Sequence, residues 1–175
     1  MKIRKTVTVD ASAGRVWNIL GPNYERAGDW ASSVFVSRAR PGEPAVAGAP
    51  VAGRTCETTL GPFVESVVDY DEGRRHIAYS ASGAKMPGFV RSLVNAWTVA
   101  PAGPDRAEVT MELNADIAQP FRFAMGWMMR RQFDRVLGEA IDDLRVYAET
   151  GRPSERKVRA DRSRKGEAAR RAATA

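Results

Sequence analysis

The chain has 175 residues, a hydrophobic fraction of 43% and a formal net charge of +6, which suits one domain with a real core. No run is long and apolar enough to cross a bilayer, and the basic start MKIRKTVTVD lacks the apolar stretch of a signal peptide. A single cysteine, Cys56, excludes an internal disulfide, and a cytoplasmic protein is expected. The charge is unevenly spread. Residues 152–175 hold nine Lys/Arg and three Asp/Glu, leaving eighteen of each in the rest, so the whole surplus lies in the tail. A nucleic-acid-binding domain carries its basic patch on folded surface, and this composition asks for none.

Residues 2–10 read as a strand, with Thr6 and Thr8 alternating with Val7 and Val9. Ser12 is placed to cap a short helix over 13–20 that turns Ala13, Val16, Trp17 and Leu20 inward. Gly21-Pro22 ends it, and Tyr24 to Ser33 forms a second short helix or turn anchored by Trp30. From Val34 to Ile117 the period changes to two. Strands are predicted over 34–38, 53–60, 63–70, 76–81, 92–99 and 106–117, separated by Gly- and Pro-bearing turns and by the loops PGEPAVAGAP and SGAKMPGFV. The last strand alternates cleanly, with Ala107, Val109, Met111, Leu113, Ala115 and Ile117 on one face. Such a strand belongs to an antiparallel sheet with one dry face.

The stretch Phe121 to Thr150 follows Pro120 and stops at Gly151. Met125, Met129, Phe133, Val136, Leu137, Ala140, Ile141, Leu144, Tyr147 and Ala148 recur at mostly three- and four-residue steps, one face of a long helix. Arg130, Asp134, Arg135, Glu139 and Asp143 fall on the rest, with Arg130–Asp134 and Arg135–Glu139 spaced to pair. At 1.5 Å per residue the helix is roughly 45 Å long. Its apolar face needs a partner, and the preceding strands supply it. The predicted class is α+β: a curved antiparallel sheet of about seven strands wrapped around a long C-terminal helix, with two short helices after the first strand.

That order, with VTVDASAGRVWNIL near the start, Tyr24 to Trp30, VESVVDYDEGRRHIAYS, NAWTVAPAGPDRAEVTMEL and the closing helix, resembles the START-like, helix-grip (SRPBCC) superfamily. That superfamily includes Bet v 1-type and polyketide cyclase/dehydrase-like proteins. The likeness covers residues 2–150, giving a domain over 1–151 and a tail over 152–175. It implies a cavity between sheet and helix and a binder or converter of apolar small molecules, in a fold that hosts many activities.

Strand parity proposes what lines that cavity. Cys56, Thr58 and Leu60 share a face, as do Val64, Ser66, Val68 and Tyr70 on the next strand. Tyr70 and Tyr79 offer hydroxyls toward the rim. Asn95 and Trp97 share parity with Arg91, Leu93 and Val99. An amide facing a dry interior needs partners, from a ligand or from backbone. Arg91 follows the loop Met86-Pro87-Gly88-Phe89 and suits a carboxylate, phenolate or phosphate at a pocket mouth. Met111 comes from the last strand, and Met125, Met129 and Phe133 from the helix; methionine suits adaptable apolar surfaces. Plain core packing is the commoner role for most of these residues, Trp97 included. Parity slips wherever a bulge intervenes.

Catalytic signatures are sparse. His76 is the single histidine and follows a polar turn, so it is expected to be exposed. One His and one Cys at unhelpful spacing give no metal site, and no Gly-rich phosphate loop follows a strand. No cofactor is expected. By parity Glu57, Glu65, Asp69, Glu108, Glu112 and Asp116 fall on the wet face, which leaves no acid pair for proton transfer inside. In the tail, Val158 is the one apolar residue larger than alanine or proline, so disorder is expected. Weak attachment to an anionic partner such as RNA or lipid headgroups is the alternative. Three functions remain. The favoured one is a carrier or sensor of a lipid-, polyketide- or aromatic-like molecule. The second is a cyclase or dehydratase acting in the same cavity by shape and orientation. The third is a protein-interaction module with a basic tail.

Overall fold

The computed structural model describes residues 1–174, and the side chains of all of these except 121–125. The first strand, β1, spans Lys2–Val9. Ser12 then accepts a hydrogen bond from the Arg15 backbone N–H at 3.3 Å and starts α1, Ala13–Leu20, which buries the four residues its spacing predicts. A 3₁₀ helix over Tyr24–Asp29 buries Tyr24 and Ala27, and Trp30 follows it inward.

Six strands come next: β2 Val34–Ala39, β3 Gly53–Thr58, β4 Gly61–Asp71, β5 His76–Gly83, β6 Val90–Gly103 and β7 Arg106–Ile117. They form an antiparallel meander, and β1 pairs antiparallel with β7, placing Val7 opposite Val109. The order in the curved sheet is β1-β7-β6-β5-β4-β3-β2. So α1 and the 3₁₀ helix carry the chain from one edge of the sheet to the other. All six predicted inward residues of β7 are buried.

β4 departs from the parity expectation. Its register runs Val67 opposite Tyr79 and then Asp69 opposite Ala78, so a bulge adds one residue between them. Before the bulge it is Phe63, Glu65 and Val67 that turn toward the core, while Val64 and Val68 are exposed. Beyond it Tyr70 turns inward against Trp17, with ring centroids 5.5 Å apart.

The long helix α2 spans Phe121–Thr150, as its periodicity predicts. It stops at Gly151, whose φ of 71° is left-handed and whose N–H reaches the Tyr147 carbonyl at 2.8 Å. Leu137, Ile141, Leu144 and Ala148 are buried, the leucine and isoleucine side chains each contributing about 1.5–3 kcal/mol for leaving water. Arg135 pairs with Glu139 at 2.8 Å, but Asp134 pairs with Lys5 of β1 at 2.9 Å instead of with Arg130. Asp143, placed by spacing on the outer face, is fully buried. Its Oδ2 accepts from the Ser32 backbone N–H at 2.9 Å, and its Oδ1 accepts from Ser154 Oγ at 2.5 Å and Arg156 Nη1 at 3.0 Å.

The tail corrects a further expectation. In place of disorder it forms α3, Glu155–Asp161, and α4, Arg164–Thr174. Ser154 caps α3 by accepting from the Lys157 N–H at 3.1 Å. Lys157 is almost fully buried, and its Nζ donates to the Val34 carbonyl at 2.6 Å and to Asp161 at 2.7 Å. Counting apolar side chains missed this docking because polar contacts fasten it.

Candidate functional site

A cleft of about 410 Å³ lies between the concave sheet and α2. Each element adds small or apolar groups: Ala27, Trp30 and Ala31 after α1, Phe63 from β4, Leu93 and Trp97 from β6, Met111 and Leu113 from β7. From α2 come Phe133, Val136, Leu137 and Ala140. The volume falls in the range of small-molecule sites, which are mostly apolar with a few placed polar groups.

Those polar groups form one buried network. Arg54 and Glu65 face each other across the β3–β4 pair. Arg54 Nε donates to Glu65 Oε2 at 2.6 Å, with the side chains 7% and 12% exposed. Tyr24 Oη donates to the same Glu65 oxygen at 2.8 Å, and Arg54 Nη1 donates to the Tyr24 carbonyl at 2.7 Å. The guanidinium carbon lies 4.1 Å from the centre of the Tyr24 ring and 5.1 Å from that of Tyr79. Tyr79 Oη in turn accepts from Asn95 Nδ2 at 2.7 Å and from Trp97 Nε1 at 3.3 Å. Trp97 meets Trp30 edge-on, with centroids 6.2 Å apart. Asn95 Oδ1 is buried and takes no hydrogen bond from the described residues, which costs about 1–3 kcal/mol while it stays unmet.

Electrostatics follow from burial. Desolvation opposes the charge on Arg54 most strongly, but the Glu65 carboxylate together with Tyr24, Tyr79 and Cys56 outweighs it and holds the guanidinium ionised well beyond the ordinary range. Burial pushes the Tyr24 and Tyr79 phenols up, and the Glu65 charge adds to both. Burial also pushes the Cys56 thiol up to about 11. The Arg54–Glu65 contact is therefore surrounded by phenols that burial keeps neutral.

The sequence candidates divide. Tyr79, Asn95, Trp97, Met111 and Phe133 all line the cleft. Tyr70 does not; it stacks on Trp17, and its hydroxyl donates to Glu72 beside α1. Arg91 sits at a break in the β6–β7 register, between Val90 and Ser92, and is exposed. The bulge removes it from the parity it shared with Leu93. Met129 is buried elsewhere, among Val90, Ala115 and Ile117. Met125 lies outside the described side chains. His76 is half-buried, with Nδ1 2.8 Å from Thr98 Oγ1. Glu65 is the acid misassigned to the wet face, and Arg54 and Tyr24 were not singled out at all. Among the described residues no cluster of three His, Cys, Asp or Glu could hold a metal ion. No helix there is long and apolar enough to cross a membrane.

A curved antiparallel sheet gripping one long helix, with an apolar cleft between them, defines the START-like helix-grip class. The chain belongs to the polyketide cyclase / dehydrase and lipid transport family, whose model matches residues 1–149. Among solved structures, it resembles a protein from Nitrosospira multiformis at TM-score 0.65 and 20% identity, covering 86% of this chain and 98% of that one. A START superfamily protein from Mycobacterium smegmatis gives TM-score 0.61 at 18% identity, covering 86% and 94%. Truncated norcoclaurine synthase from Thalictrum flavum gives 0.64 at 14% identity, covering 86% and 94%. At such identities the likeness concerns the fold. No curated protein sequence matches the chain.

Proposed function

We propose that the protein binds an apolar small molecule, lipid-, polyketide- or aromatic-like, in the cleft between the sheet and α2. The observation that carries this reading is the contrast inside the cleft. Its walls are mostly aliphatic and aromatic, while one buried group, Asn95 Oδ1, has no partner among the described residues. A ligand with an apolar body and one hydrogen-bonding group suits that contrast. The Arg54 charge is already met by Glu65, so an uncharged polar group suits this end better than an anion. A cytoplasmic location, inferred from the lone cysteine, belongs to the same proposal.

The test uses a neutral fluorescent probe, N-phenyl-1-naphthylamine. Wild type is expected to bind it, and Ala140→Trp, which fills the cleft from α2, to weaken binding by about tenfold or more. Equal binding by both proteins contradicts the reading.

A second reading, a cyclase or dehydratase acting in the same cleft, is favoured by Glu65. A carboxylate in a dry site is the type of group that takes a proton from an activated carbon. Its Oε2 accepts from Arg54 and Tyr24, while among the described residues none donates to its other oxygen. Native mass spectrometry of wild type and Glu65→Gln, each purified from the protein's own host, separates the readings. A carrier retains the same mass in both, whereas an enzyme accumulates a different, unconverted mass in the variant.

A further inference from the structure

The family match ends at residue 149, but the lining of the cleft does not. Arg156 and Ala160 of α3 also line it, in company with Val34, Leu60 and Ala140. We propose that α3 is a wall of the ligand site, and that Ala160 and the aliphatic stem of Arg156 limit how long an apolar guest can be. This inference rests on the reading of the cleft as a binding site.

Three observations hold α3 in that role. It is fastened on both sides of the cleft, to α2 through Asp143 and to β2 through the bond from Lys157 Nζ to the Val34 carbonyl. It is backed by α4. A Cβ on Gly166 would lie 2.6 Å from the Ala160 carbonyl oxygen and 2.7 Å from that of Asp161, so glycine is what lets α4 close onto the end of α3. Asp161 ties the two helices by pairing with Arg170, and the Arg38 side chain of β2 bonds the Ala173 carbonyl. Finally, the charge of Arg156 is engaged by the fully buried Asp143 at 3.0 Å, so this end of the cleft sorts guests by size rather than by charge. Leu60, 56% exposed at the same end, is an apolar surface that a guest reaching α3 would cover.

The experiment titrates the full chain and its Ala160→Leu and Ala160→Phe variants with two neutral amines of different length, N-phenyl-1-naphthylamine and 1-naphthylamine. Thermal melts confirm that each variant is folded. The larger side chains are expected to weaken the longer amine progressively, by about tenfold for phenylalanine, with the shorter amine changed less than about twofold. Equal affinities in all three proteins, or equal losses for both amines, overturn the role of α3 while leaving the cleft as a binding site. Failure of wild type to bind either amine overturns the binding reading beneath it. If Ala160→Phe does not fold, the leucine variant decides: a selective loss for the longer amine supports the wall, and no selectivity overturns it.

Discussion

Arg54 Nε and Glu65 Oε2 meet at 2.6 Å inside the cleft, with both side chains nearly removed from water. Desolvating two such charges costs several kcal/mol each, and the pair is supported by Tyr24, which donates to the same Glu65 oxygen, and by the aromatic faces that cover the guanidinium. Removing one partner leaves the other charge buried alone. Glu65→Ala is expected to lower unfolding stability by about 3–5 kcal/mol. Arg54→Met with Glu65→Leu is expected to recover most of that loss. Urea unfolding of both proteins checks this; a single-variant loss below about 1 kcal/mol counts against a buried pair.

Asp143 is expected to act as a clamp between α2, the segment before β2, and α3. It accepts three hydrogen bonds while fully buried. Asp143→Ala should cost about 2–4 kcal/mol, since a bond to a charged acceptor is worth about 1.5–3 kcal/mol and the three, sharing one carboxylate, do not add in full. It should also speed amide hydrogen exchange over residues 155–161 more than over β7. Uniform acceleration would show that the clamp has no particular hold on the tail.

Cys56 supplies a pH dependence. Burial raises its thiol from 9.0 to about 11. Below pH 9 the thiol is protonated in both the folded and unfolded chains and adds nothing. Between pH 9 and about 11 the unfolded chain loses the proton while the folded one keeps it, so stability falls as pH rises. Two pKa units correspond to about 3 kcal/mol. Cys56→Ala should remove that part of the alkaline slope, as read from denaturant unfolding at pH 8 and pH 10.5. Parallel slopes in the two proteins would contradict it.

Long periodic segments made most of the fold legible. The spacing in α2, the clean alternation of β7 and the Ser12 cap each state their structure locally. The polar half of the site was less legible because it depends on register. A single added residue near Val68 reverses the faces of β4, and a break between Val90 and Ser92 does the same for Arg91. One signal was available in the hairpin. Thr58 pairs with Gly61 across the turn, and counting back from it sets Cys56 opposite Phe63 and Arg54 opposite Glu65. Cys56 was assigned inward, and Arg54 shares its parity, so the pair follows once register is counted from the turn rather than judged from apolar content. The tail was misjudged for a different reason. Its docking depends on Asp143 and the Val34 carbonyl, far away in sequence.

The measurement closest to the central claim follows the four tryptophan indole N–H signals of 15N-labelled protein during titration with N-phenyl-1-naphthylamine. Trp30 and Trp97 line the cleft, Trp17 bonds Glu72 with its Nε1 at 2.8 Å beside α1, and Trp127 is 71% exposed on α2. A guest between the sheet and α2 is predicted to move the Trp30 and Trp97 signals and leave those of Trp17 and Trp127 nearly in place. Shifts confined to Trp127, or none at saturating probe, would contradict a ligand site in the cleft.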